Sequence, residues 1–255
     1  MRFRDRVAVV TGGAQGIGEG CVRVFAREGG HAAILDRNGD AGRRLAEELN
    51  RERAGAALAI VCDCTEFDGL RAALDASAAH FGRIDCLVNN VGWHPPATSL
   101  ADTTLEEMER LMRLNFMTTF VASQAALPHL RRTRGTIVNI ASMVALVGQD
   151  QAAAYCATKA AQLGFTRGLA VELGVEGIRV NAICPGNIET PLMHAWAQTL
   201  PDPQSGLARM ASLQLHGKLG TIEEIGRIAL FLATEDSSFL TGIAIEAHMG
   251  ACLDY

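Results

Sequence analysis

No stretch of this 255-residue chain approaches the roughly 18 consecutive apolar residues of a membrane span, and no N-terminal apolar run resembles a signal peptide. Basic clusters are missing as well. Lys and Arg number 23 against 28 Asp and Glu, the signs are mixed along the chain, and the formal charge is −5. That balance argues against a nucleic-acid partner, whose phosphates need clustered cations. The seven cysteines (Cys21, Cys62, Cys64, Cys86, Cys156, Cys184 and Cys252) are odd in number and lack metal-type spacing. Most fall in apolar runs, so they read as buried thiols rather than a disulfide framework or zinc site. His80, His129 and His216 are scattered and suggest no metal cluster. There is no internal repeat, low-complexity tract or linker. The expectation is a single reduced, soluble, cytoplasmic domain over 1–255, which at this length buries about 70–75% of its unfolded surface without a staple.

What is present is a rhythm. Short β-branched runs at Val7 to Thr11, His31 to Asp36, Ala57 to Asp63, Asp85 to Asn89, Gly135 to Ala141, Gly177 to Cys184 and Ile243 to Ala247 alternate with helical-period segments. The helices fall at about 16–28, 39–53, 66–81, 103–132, 152–174 and 221–234. The pattern predicts an α/β fold: a doubly wound (Rossmann) seven-stranded parallel sheet with helices on both faces. Pro185 to Gly220 breaks the rhythm with four prolines, and an insertion of that size reads as a substrate lid at about 186–220.

The first strand runs into Thr11-Gly12-Gly13-Ala14-Gln15-Gly16-Ile17-Gly18 at the mouth of a helix. Glycines let the backbone turn sharply and approach a pyrophosphate, and the helix N-terminus offers free N–H groups. A tight strand-to-helix turn would look the same in isolation. Asp36 closes the second strand, where a carboxylate can bind ribose hydroxyls and repel a 2′-phosphate, which favours NAD over NADP. Arg37 follows and could offset that preference, but alternation of faces along a strand sets it apart from Asp36. Asp63 and Asn89-Asn90-Val91-Gly92 collect at the carboxyl ends of the next strands, the edge where ligands bind in such sheets.

Tyr155 and Lys159 lie four apart near the start of a helix, hence on one face. An ammonium one turn from a phenol favours the phenolate, which suits base catalysis. Taken alone the pair also reads as a surface contact. Ser142 follows the apolar strand Thr136 to Ala141 and can hold a substrate oxygen.

In order and spacing the glycine turn, Asp63, Asn89 to Gly92, Asn115, Ser142, Tyr155, Lys159 and Pro185-Gly186 resemble the short-chain dehydrogenase/reductases along essentially the whole chain. The resemblance implies Tyr155 as general acid/base, Ser142 polarising the substrate oxygen, and Lys159 binding nicotinamide ribose while lowering the tyrosine pKa. It implies that Asn115 holds a water linking Lys159 to solvent; without the family context an exposed helix amide is the preferred reading. It further implies cofactor contacts at Gln15, Ile17, Cys64, Pro185, Gly186, Ile188 and Thr190, and Gln15 stands where NADP users often carry a basic side chain. Val91 replaces a usual alanine, and His248-Met249-Gly250 replaces a D-G-G-type turn, which puts the tail geometry in doubt.

His94-Pro95-Pro96, Pro185-Gly186-Asn187-Ile188 and Pro201-Asp202-Pro203 resemble the 17β-hydroxysteroid dehydrogenase type 14 branch. That branch is associated with NAD-dependent oxidation of secondary alcohols on steroids and sugars such as L-fucose. Other polyol and cis-dihydrodiol oxidisers, an NADPH-dependent carbonyl reductase and a non-catalytic dinucleotide-binding protein stay open. Trp93, His94, Gln149, Met193, His194, Trp196 and Tyr255 are the candidate substrate wall, against ordinary loop packing or a frayed end. Apolar residues Leu111, Leu114, Phe116, Phe120, Leu163, Phe165 and Leu169 suggest a second stripe on two helices, and the resemblance implies a homotetramer.

Overall fold

The computed structural model describes residues 1–253, and the candidate Tyr255 lies outside them. From the middle of one sheet, β1 (Val7–Thr11), β2 (His31–Asp36) and β3 (Ala57–Val61) step one way. In the other direction step β4 (Cys86–Asn89), β5 (Thr136–Ile140), β6 (Arg179–Pro185) and β7 (Ala244–Ala247), giving the order 3-2-1-4-5-6-7 with every neighbour parallel. Parallel strands need helical crossovers, so both faces are covered and the central strands are apolar throughout. In β1 all five residues are buried.

Alternation divides that strand between two cores. Ala8 and Val10 pack with Ile34 under α1 (Gly16–Arg27), α2 (Gly39–Glu52) and α10 (Ile222–Ala233), through Phe25, Leu49 and Leu230. Val9 packs with Leu35 and Leu87 under α3 (Phe67–Phe81), α5 (Thr118–Thr133) and α7 (Ala153–Gly174), through Leu74, Leu130 and Leu173. Local chemistry sets the helix ends. Asn38 caps α2 and Thr104 caps α4 (Leu105–Met112) through bonds to Ala41 and Glu107 N–H, and Thr221 with Glu224 forms a reciprocal cap on α10.

The structure corrects several sequence expectations. The single helix expected over 103–132 is α4, a π-helical turn (Arg113–Met117) and α5, because a wider turn rotates Asn115 inward. The segment read as a substrate lid contains two helices that the sequence did not show, α8 (Pro191–Ala197) and α9 (Pro203–Ser212). Pro191 and Pro203 start these helices, each at the first position behind a capping Thr190 or Asp202. A short α6 (Val144–Val147), unread in the sequence, follows β5. β3 ends at Val61, so Asp63 stands in the turn beyond the strand, and Ile243 precedes β7. At the tail, Met249 and Gly250 take consecutive left-handed conformations, φ +46° and +75°, so the turn persists without its first glycine.

Candidate active site

Strand order reverses between β1 and β4, and there the carboxyl edge of the sheet opens into a crevice of about 700 Å³. The glycine turn forms one wall. Gly12 and Gly16 have φ of +62° and +57°, and a Cβ on Gly18 would lie 2.1 Å from the Gly12 carbonyl oxygen, so the turn admits no side chain there. Gln15 starts α1 without a side-chain cap, leaving the first-turn N–H groups facing a cradle that suits a pyrophosphate. Asn90 fastens this turn to β4, donating from Nδ2 to the carbonyls of Thr11 and Gly12 at 3.1 and 2.9 Å. The Thr11 hydroxyl oxygen accepts from Asn90 N–H at 3.0 Å.

Asp36 is held by two backbone donors, Ala14 N–H at 3.0 Å and Asn38 N–H at 2.9 Å, and its carboxylate borders the crevice. Arg37 borders it too. The alternation argument fails there because β2 ends at Asp36 and the chain bends at Arg37. Asp63 accepts from the Thr65 hydroxyl at 2.7 Å and its N–H at 2.9 Å, which hold its carboxyl below the usual carboxylate range, with help from Arg37 and Arg113. Cys62 and Cys64, both buried, flank it on the same wall. Ile17, Val91, Gly92 and Thr190 complete the predicted lining.

At the far end, β5 and α7 bring Ser142, Tyr155 and Lys159 together across a chain separation of 17 residues. Burial dominates at the Tyr155 phenol and pushes its pKa up to about 12, while the neighbouring Ser142 hydroxyl favours the ionised form. The hydrogen bonds of the Lys159 ammonium run to the interior rather than to the phenol. Its ammonium turns inward, donating to the Ile140 carbonyl at 3.0 Å and Gln162 Oε1 at 3.2 Å. Burial without a carboxylate among the described residues lowers the Lys159 pKa to about 8, and Cys184 opposes this weakly.

Asn115 is fully buried, which removes the exposed-amide reading. Its Oδ1 accepts from Trp93 N–H at 2.8 Å, and its Nδ2 donates to the Trp93 carbonyl and Thr158 Oγ1, each at 3.1 Å. It therefore locks the loop after β4 to α7. A Cβ on Gly92 would lie 3.0 Å from Lys159 Nζ and 3.5 Å from Asn115 Oδ1.

Other predicted residues sit elsewhere. Asn89 faces the interior, donating to Ser123 Oγ and Asn139 Oδ1 at 3.0 and 2.9 Å, and is no part of the crevice wall. Pro185 ends β6; Gly186 presses against Gln214 and His248, and Ile188 joins the core. The His94 ring packs at a tilt against that of Tyr155 with centroids 4.3 Å apart and meets Gln149 Oε1 at 3.1 Å, so His94 stands beside the phenol and Gln149 behind it. Trp93 lines the crevice under the Arg110 guanidinium. Met193, His194 and Trp196 lie on α8 outside the lining, where Pro191 and Leu192 reach it instead. Missed by sequence reasoning were Thr11, Arg110, Arg113 and Gln162; the Gln162 amide, three residues after Lys159, was the available signal.

A second cavity of about 700 Å³ opens at the opposite edge among Arg6, Arg83, Arg134 and Arg179. It is bordered by the last residues of α5, α7 and α10, whose C-terminal dipoles these cations offset, and it lacks the serine, tyrosine and lysine.

Residues 12–251 match the family described as enoyl-(acyl carrier protein) reductase. Over 98% of its length the chain is 42% identical to the L-fucose dehydrogenase of Oryctolagus cuniculus, covering 86% of that protein. It is 34% identical to the meso-2,3-butanediol dehydrogenase of Serratia marcescens over 98% of its length and 96% of the relative. A solved short-chain type dehydrogenase/reductase from Mycobacterium marinum superposes with a TM-score of 0.90 at 32% identity, over 99% of this chain and 97% of that one.

Proposed function

This chain belongs to the short-chain dehydrogenase/reductase family of oxidoreductases acting on secondary alcohols, and from that premise we propose that it is an NAD-dependent dehydrogenase of a sugar, steroid or cyclic diol. The observation that carries the reading is the placing of Tyr155 and Lys159 together on the crevice wall, one turn apart on α7, with Ser142 beside the phenol. Ser142 holds the substrate hydroxyl oxygen, and Tyr155 Oη takes its proton. The bound dinucleotide supplies the hydride acceptor. The glycine turn with Gln15 and Ile17 would hold its pyrophosphate, Asp36 its adenine-side ribose, Asp63 and Cys64 its adenine, and Lys159, Pro185 to Ile188 and Thr190 its nicotinamide end. Asp36 favours NAD because a 2′-phosphate beside an ionised carboxylate is repelled. Similarity to an L-fucose dehydrogenase supports the sugar class.

Following nicotinamide absorbance with NAD and NADP against L-fucose, a 2,3-diol and a hydroxysteroid tests this. NAD should give the higher kcat/KM, by about 10-fold or more. Equal or higher values with NADP would sink the cofactor assignment. Binding of NADH without turnover of any alcohol would favour a non-catalytic dinucleotide-binding protein.

The assembly reading is a cytoplasmic homotetramer with α8 and α9 as the substrate lid. Leu111 and Leu163, read as part of an outer stripe, are buried inside the subunit, and Leu114 lines the crevice. What remains outward is an aromatic group: the Phe116 and Phe120 rings lie 5.6 and 5.8 Å from that of Phe165, and Phe120 is exposed. Covering this group against a second copy supports the tetramer. A monomer in light scattering would overturn it.

A further inference from the structure

Gln162 is a wholly buried amide in the middle of α7, on the helix face that carries Tyr155, Lys159 and Thr166. Both of its ends are used. Oε1 accepts from Lys159 Nζ at 3.2 Å, and Nε2 donates to Thr119 Oγ1 on α5 at 2.8 Å. Burying an amide is unfavourable unless it is fully bonded, and a hydrophobic residue would fill the same space without that cost. The position therefore needs an explanation beyond packing, and Lys159 provides it.

An ammonium has three donors in tetrahedral array on a flexible stem. Two are taken by protein acceptors, the Ile140 carbonyl on β5 and Gln162 Oε1. Gly92, a crevice-lining glycine whose Cβ would lie 3.0 Å from Nζ, leaves the approach open on the remaining side. With the Ile140 carbonyl alone, the ammonium could rotate about a single anchor; with both, its third hydrogen has a set direction. Thr119 fixes which end of the Gln162 amide faces Lys159, since its hydroxyl oxygen accepts from Nε2. We propose that Gln162 is a positioning residue of the reaction, holding the Lys159 ammonium between itself and Ile140 so that its third hydrogen is presented to the dinucleotide ribose in the crevice.

The surroundings leave this task to a neutral group. Titratable neighbours of Lys159 are Tyr155 on its own helix and the Cys184 thiol on β6. From the other elements packed around it come the Ile140 carbonyl of β5, Thr119 of α5 through Gln162, Asn115 of the π turn and Gly92 after β4, all uncharged. The Gln162 oxygen is thus one of two uncharged acceptors that face the ammonium.

The inference rests on the dinucleotide-binding reading but can be measured without an alcohol, by titrating NADH fluorescence against pH. In the wild-type protein affinity should fall as pH rises through the Lys159 titration near 8. Gln162→Leu should move that limb to lower pH by about one unit, because the buried ammonium loses an acceptor. Gln162→Glu should move it to higher pH, because a carboxylate then faces the ammonium. Thr119→Val, which leaves Gln162 in place but unties it, should shift the limb as Leu does by a smaller amount and covers the case in which Gln162→Leu fails to fold. A limb unchanged in Gln162→Glu and Thr119→Val, or moved the same way by Leu and Glu, would reduce Gln162 to packing and overturn the proposal. Binding with no pH limb in the wild type would likewise overturn the proposal, whereas absence of NADH binding at every pH would instead remove the dinucleotide reading itself.

Discussion

The two buried faces of the sheet are built to opposite specifications. Under α1, α2 and α10 the core is hydrocarbon with a thiol or two: Val10, Ile34, Phe25, Leu49, Leu230. Under α5 and α7 the apolar layer of Leu130 and Leu173 gives way, toward the crevice, to a polar one of Asn89, Asn139, Ser123, Thr166, Thr119 and Gln162, each nearly or fully buried. Its members satisfy one another: Asn139 Nδ2 donates to Thr166 Oγ1 at 2.8 Å, and the Ser123 and Thr166 hydroxyls donate to the helix carbonyls of Thr119 and Gln162, each at 2.7 Å. One acceptor, Asn89 Oδ1, has no hydrogen-bond partner among the described residues. Such a layer adds less stability than hydrocarbon would. What it gives in exchange is a fixed direction for every group that reaches the catalytic end, which an apolar core, held only by shape, cannot impose on an ammonium.

If that division is right, the two faces should fail differently. The largest effect belongs to the polar side: Tyr155→Phe should lower kcat by about 10³-fold or more at unchanged fold and near-unchanged NADH affinity, since one oxygen is removed and little volume. Substantial turnover by this variant would remove Tyr155 as the base. On the apolar side, Leu230→Ala should cost about 3 kcal/mol in denaturant unfolding, while the fraction that stays folded keeps its kcat; a fall in kcat would show the faces to be coupled.

Lys159→Met should invert the usual sign by raising stability. The folded-state pKa of Lys159 lies near 8, below its ordinary 10.5, so the folded state is penalised while the ammonium is charged. Stability from this group is present above 10.5 and lost as pH falls through 8. The variant, having nothing to ionise, should be about 1–3 kcal/mol more stable than wild type at pH 7, with the advantage fading between pH 8 and 10.5. A destabilised variant in a pH series of urea melts would contradict the account of the buried ammonium. The smallest expected change is Thr221→Ala, which removes the reciprocal cap of α10 on the apolar side and should cost about 1 kcal/mol with no effect on pH dependence.

Much of this is legible in the order of the amino acids alone. The alternation of β-branched runs with helical periods dictates a parallel sheet because strands buried on both faces have no polar side to show. The glycine turn, Asp36, and the Ser142, Tyr155 and Lys159 set are readable for a related reason: a backbone that must approach a ligand requires glycine, and chemistry requires particular functional groups, both of which are properties of single residues. The corrections share the opposite character. Whether Pro191 and Pro203 break helices or begin them depends on the capping Thr190 and Asp202 and on what those helices pack against. The π turn at Arg113–Met117 exists because Asn115 finds Trp93 and Thr158, partners 22 and 43 residues away in sequence. Where the Lys159 ammonium points, and that burial governs the Tyr155 phenol, is decided by Ile140, Gln162 and the depth of the crevice. By itself the chain's sequence determines which groups this protein carries and the period at which they repeat; direction and charge state come only from tertiary structure, because both are set by neighbours distant along the chain and by exclusion of water.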